Sequence, residues 1–151
     1  MKGFYSVTEK IKEQLLNDAN VNNVTFGDIT KVALNKQIMY PLSHIMVNSV
    51  SNEDSILRFS MSVLAMDIVN ESKEETVDIF IGNNNEQDVL NTQLAVLNKL
   101  VQVLRGGDLY QSLYQLDGTP SFEPFYDRFE DEVAGWALTF DVIIPNEINI
   151  C

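Results

Sequence analysis

The chain has 151 residues, with 22 Asp or Glu against 10 Lys or Arg, a formal charge of −12. That balance excludes a protein that draws affinity from neutralising phosphates, and no polybasic run is present to hold an anionic membrane surface. Apolar residues make up 45% and charged residues 21%, which excludes a disordered polyelectrolyte and suffices for one domain with a buried core.

The first predicted element is a helix in SVTEKIKEQLLNDAN. Ser6 and Glu9 have the spacing of a capping box, and Phe4 is placed to staple the start. Val7, Ile11, Leu15 and Ala19 recur every four residues and form one narrow apolar stripe, which the asparagines between Asn17 and Asn23 end. VTFGDITKVAL reads as a weak strand containing a glycine.

PLSHIMVNSV and SILRFSMSVLAMDIV read as the arms of a β-hairpin turning at SNED. In the second arm Leu57, Phe59, Met61, Val63 and Ala65 share one face. Arg58, Ser60 and Ser62 begin the other, which continues as Leu64, Met66 and Ile68. This strand is therefore expected to start half exposed and to end covered on both sides. Its length predicts an arm projecting beyond the sheet. NESKEETVD is polar and acidic, an expected loop or hairpin tip, and VDIFIG an expected short apolar strand.

The stretch NNNEQDVLNTQLAVLNKLVQVLRGG predicts a long helix. Leu90, Leu94, Leu97, Val101 and Leu104 make a stripe that Val89, Val96, Leu100 and Val103 widen, as on a helix lying against a sheet. Asparagines precede it as caps, and Gly106 and Gly107 stop it. DLYQSLYQL has no decisive period, and DGTP predicts a turn. SFEPFYDRFEDEVAG, interrupted by Pro124, is assigned to an edge or bent strand. The last strand sets Trp136, Leu138, Phe140, Val142 and Ile144 on one face and ends at Pro145. Bunched strands with two helices predict an α+β fold, a mostly antiparallel sheet with both helices on one face. Residues 1–151 are expected to form one domain, with 146–151 an extended C-terminal arm.

Residues equipped for chemistry are few. His44 lies within a predicted strand next to Ser43, and strand neighbours point to opposite faces, so the pair does not form a nucleophile and base. One cysteine, Cys151, excludes an internal disulfide framework and has no argued cation to activate it. One His and one Cys cannot build a four-ligand zinc site. The carboxylates Asp67, Glu71, Glu74, Glu75 and Asp78 lack the spacing of a calcium loop, and Asp127, Glu130, Asp131 and Glu132 read as a second solvated group. No glycine motif cradles a phosphate. The aromatics Tyr110, Tyr114, Phe122, Phe125, Tyr126 and Phe129 have no basic neighbours to make them a base-stacking platform and read as packing or contact surface. No cofactor and no enzymatic activity are expected. The opening MKGFYSVTEKIKEQ has no apolar leader core, and no stretch approaches a membrane span.

In MYPLSHIMVNSVSNEDSILRFSMSVLAMDIV, DVLNTQLAVLNKLVQVLRGG and GWALTFDVIIPN, from about residue 5 to 146, the chain resembles the tail-terminator and head-to-tail joining proteins of tailed bacteriophages. Its texture is most similar to neck or tail ring proteins of crAss-like phages. The resemblance implies a structural virion protein, assembled in the host cytoplasm, whose copies close into a six-fold or twelve-fold ring. Its implied partners are further copies of itself and neighbouring portal, connector and tail proteins, with DNA passing through unread. The class competing with this is a small acidic cytosolic adaptor that binds a partner through the same α+β scaffold. The resemblance transfers no residue motif. The candidate subunit-interface residues come from the predicted tips and tail: Ser51, Asn52, Glu53 and Asp54; Glu71, Glu74 and Glu75; Ile148 and Ile150.

Overall fold

A computed structural model describes residues 3–29, 39–70, 80, 85–107, 109, 111–128 and 133–146. Two helices, α1 (Gly3–Leu16) and α2 (Glu86–Arg105), lie on one face of a five-stranded sheet. Its strands are β1 (Asn23–Phe26), β2 (Leu42–Glu53), β3 (Ile56–Ile68), β4 (Gln115–Arg128) and β5 (Val133–Pro145), in the spatial order β1-β2-β3-β5-β4. The β1–β2 pair is parallel and the rest are antiparallel, so the fold is α+β as the sequence predicts.

The main core forms where the helical stripes meet the inner face of the sheet. Val7, Ile11 and Leu15 of α1 are buried against Ile45, Phe59, Met61, Val63, Leu138, Phe140, Val142 and Ile144. Each large aliphatic side chain so buried contributes roughly 2 kcal/mol. Ser6 lies within α1, which begins at Gly3, so the predicted capping box does not form. Phe4 is itself helical and its ring meets Phe26 edge-on and Phe59 at a tilt. Ala19 is exposed beyond the helix end.

On α2 the buried stripe is Val89, Gln93, Val96, Leu97, Leu100, Val101 and Leu104. Leu90 and Leu94, predicted to lead it, sit half-buried on its flank. Trp136 of β5 donates its Nε1–H to the Leu90 carbonyl at 2.7 Å, and so fixes α2 against the sheet. Asn85 stands at the N-cap position but makes no side-chain cap. Its amide instead accepts from Asn70 N–H and donates to the Ile68 carbonyl, fastening the end of β3 to the helix start. Gly106 stays right-handed at φ −74°. Gly107 is required for space, because the Tyr114 ring lies where its Cβ would stand.

β2 and β3 form the predicted hairpin, but β2 runs through Ser51–Glu53 and the chain reverses at Asp54 and Ser55, with Asp54 at φ 60°. The hairpin does not project as an arm. β5 pairs with β3 from Ile56 to Ile68, covering its whole length. The outer face of the sheet is divided as the alternation predicts. Arg58, Ser60 and Ser62 are only half-buried, whereas Leu64 and Met66 are buried with Tyr40, Leu42, Phe125 and Val133 in a second, smaller core. Ile29 and Met39 pack against that core and cover this half of the face.

DGTP does not make the predicted turn. It lies inside β4, where the register with β5 slips between Asp117 and Ser121 and Gly118 takes φ +72°. A left-handed residue inside a paired strand is a bulge, and glycine adopts that geometry without a Cβ penalty. β4 is an edge strand and carries Pro124, as predicted. Within the expected strand VDIFIG, the described residue Phe80 lies in a turn and is exposed. β5 is central and ends at Pro145, after which Asn146 N–H donates to the Ser55 carbonyl at 2.9 Å.

Candidate functional site

The candidate interface residues fall into two sets. Ser51, Asn52, Glu53 and Asp54 are all exposed at the hairpin end, with Ser51 opposite Arg58, Asn52 opposite Leu57 and Glu53 opposite Ile56. Glu71, Glu74, Glu75, Ile148 and Ile150 lie outside the described residues, as do Cys151, Tyr110 and Phe129. Of the other aromatics, Tyr114 and Phe122 pack against the main core, Phe125 is buried in the second core and Tyr126 is exposed.

His44 is fully buried on the outer face of β2. Its Nε2–H donates to the Gly27 carbonyl at 2.7 Å, which leaves Nδ1 to accept from the Thr25 hydroxyl at 2.6 Å. Burial holds its pKa below the ordinary 6.5, against the opposing pull of the Gly27 hydrogen bond and of Asp28. A neutral imidazole with both nitrogens engaged ties β1 and its following turn to β2. Ser43, its neighbour, faces the opposite side of the sheet, buried with its hydroxyl unpartnered. Asp67 is pushed upward by burial, partly offset by the hydrogen bond from Ile68 N–H.

The sequence reading missed a charged cluster on the open half of the outer face. Arg58 pairs with Glu53 through Nε at 3.0 Å and with Asp117 through Nη1, and Asp141 lies 3.9 Å away. The Asp117 hydrogen bond leads the influences that raise the Arg58 pKa. Period-two alternation places Arg58 outward, but its partners on β4 and β5 are visible only once the strand order is known. Asn48 donates to the Ser62 hydroxyl at 2.8 Å nearby, and Thr139 extends this polar face on β5. Among the described residues, no three His, Cys, Asp or Glu gather as a metal site.

A second missed feature is the step where β1 stops. β1 pairs with β2 only along Leu42–Ile45, and its last bond is Gly27 N–H to the Ile45 carbonyl at 3.0 Å. The chain then leaves at Gly27, φ +107°. β2 continues to Glu53 with no described strand on its outer side. Phe4, Tyr5, Thr8, Val24, Phe26 and Ile45 line a groove of about 440 Å³ on the helix side of this step. Met46, Val47 and Asn48 line a second of about 470 Å³ with Phe26 and Gly27. Tyr5 is 67% and Phe26 53% exposed, an unusual outlay of aromatic surface beside an open strand.

No protein-family model matches the chain, and no curated protein matches it in sequence. Among the described residues no helix is long and apolar enough to cross a membrane.

Proposed function

We propose that this chain is a structural virion protein, a subunit of a head-to-tail connector or tail ring that joins capsid to tail around a channel for DNA. The observation that carries the reading is the unlikeness of the two sheet edges. A closed ring needs two different faces on each copy, one meeting the other around the axis. The β4 edge is guarded by Pro120, Pro124 and the bulge at Gly118, features that discourage strand addition. The β2 rim has no proline and stands beside exposed aromatics. Such a sheet extends in one direction and not in the other.

Charge supports the same reading. At −12 per copy, a ring carries about −70 in six-fold and about −140 in twelve-fold form. A wall of that sign repels phosphates, so DNA slides past instead of adhering. The open outer face, where three carboxylates surround the single Arg58, is a suitable lining. The protein then works by shape and not by reaction.

Mixing the purified chain with portal and connector proteins of a crAss-like phage tests this by light scattering and electron microscopy. A ring docked on the connector is the expected result. A chain that stays small with every such partner, and is missing from purified virions, sinks the reading in favour of the adaptor class.

A further inference from the structure

We propose that the groove between α1 and β1 binds an extended basic segment of another protein. The apolar anchors of that segment settle against Phe4, Tyr5 and Phe26, and its Lys or Arg side chains lie beside Glu9 and Glu13. The proposal goes beyond the ring reading and does not depend on it.

α1 carries two lines of side chains. Val7, Ile11 and Leu15 are buried in the core. A second line at helical spacing, Phe4, Tyr5, Glu9, Lys12, Glu13 and Leu16, is exposed. Its first part lines the groove of about 440 Å³, whose far wall is Val24, Thr25 and Phe26 of β1. Glu9 and Lys12 also line an adjoining depression of about 350 Å³ that continues to Glu13 and Leu16. From Phe4 to Leu16 the helix advances about 18 Å, the reach of about five residues of extended chain. β1 is the outermost described strand on this side of the sheet, so its backbone is placed to pair with such a chain.

The aromatic end takes the apolar anchor. Tyr5 and Phe26 each meet Phe4 edge-on, with ring centroids 5.9 Å apart and planes at 87° and 89°. All three rings remain exposed. Rings set at right angles wall a corner that a large apolar side chain fills, and their faces also attract an ammonium or guanidinium group.

Charge selects the occupant. Glu9, Lys12 and Glu13 make no ion pair among the described residues, so two carboxylates stand open against one ammonium. The whole chain carries −12. That field draws a cationic segment towards the groove and holds off acidic surfaces, including those of a second copy.

The test offers three labelled peptides to the whole chain. They are GKFKVKVKLKG, its acidic counterpart GEFEVEVELEG, and GKSKSKSKSKG, which keeps the basic charge without the apolar anchors. By fluorescence anisotropy in about 0.15 M salt, the first should bind about tenfold more tightly than either of the others. Tyr5→Ala with Phe26→Ala should weaken it about tenfold, because truncating aromatic anchors removes the main contacts. Glu9→Lys with Glu13→Lys should weaken it about fivefold. Asp88→Lys with Glu123→Lys makes the same change of charge at exposed positions elsewhere, and should leave affinity within about twofold, since salt screens distant charges. Circular dichroism checks each variant, and the Glu9 and Glu13 pair decides the matter if the aromatic variant does not fold. No binding of the first peptide, equal binding of all three, groove variants that bind like wild type, or an equal loss from the distant pair would each overturn the proposal. So would self-association of the wild-type chain that the aromatic variant abolishes, which would give the groove to a second copy.

Discussion

His44 is buried with both ring nitrogens in hydrogen bonds, and burial disfavours its charged form. Its folded pKa lies below the ordinary 6.5, so the folded state binds fewer protons than the unfolded one as the pH falls. Its stabilising effect is therefore complete above about pH 6.5 and is lost as the pH drops from there towards the folded pKa. Denaturation midpoints measured from pH 8 to pH 5 should fall over the acid half of that range, and His44→Gln should flatten this part of the curve. An unchanged slope in the variant would place the acid sensitivity elsewhere. Gly135 shows the opposite kind of residue, silent in the sequence yet sterically fixed: a Cβ there would enter the Ala65 carbonyl on the neighbouring strand. Nothing in GWALTF marks that constraint, because it arises from a partner strand about seventy positions earlier in the chain.

At the scale of elements, α2 contains one residue that its pattern does not explain. Gln93 is 1% exposed on the buried stripe, and neither of its amide atoms has a hydrogen-bond partner. A buried amide without partners costs about 1–3 kcal/mol. Gln93→Met keeps the length of the side chain and removes both polar atoms, and should raise stability by about 1 kcal/mol in urea denaturation. A loss instead would show that the amide is satisfied by a buried water. The periodic apolar positions of both helices were legible, as were the hairpin and the two-sided covering of β3, since burial of alternate residues is a local pattern. Helix starts and the role of DGTP were not. Ser6 has the right residue for a cap, but Phe4 and Val7 gain more by packing in a helix that begins earlier. DGTP has turn residues, but pairing with β5 on either side holds it within a strand.

For the whole molecule, the excess of acid is the dominant field. A charge of −12 on 151 residues repels itself, and the described ion pairs centre on the single Arg58. Raising sodium chloride from about 20 mM to about 0.5 M should therefore raise the denaturation midpoint, by about 1 kcal/mol in stability, because screening relieves repulsion among exposed carboxylates. A fall would mean that the Arg58 pairs outweigh that repulsion. The ring reading depends on the same scale. Its candidate residues Ser51, Asn52, Glu53 and Asp54 sit at the end of the β2 rim beside which no strand is described, whereas the aromatic groove at the β1 end went unnoticed. Phe4 and Tyr5 are neighbours on α1, but Phe26 lies on β1 and its ring meets Phe4 only because the helix packs beside that strand.

By itself the sequence determined the class of fold, the acid character and the faces of each long element, because these follow from composition and from spacing along a single segment. The tertiary structure alone decided the strand order, with β5 inserted between β3 and β4, and from it the two unlike edges and the gathering of three carboxylates around Arg58. Pairing across a sheet joins residues distant in the chain, and no local periodicity encodes which strand will lie beside which.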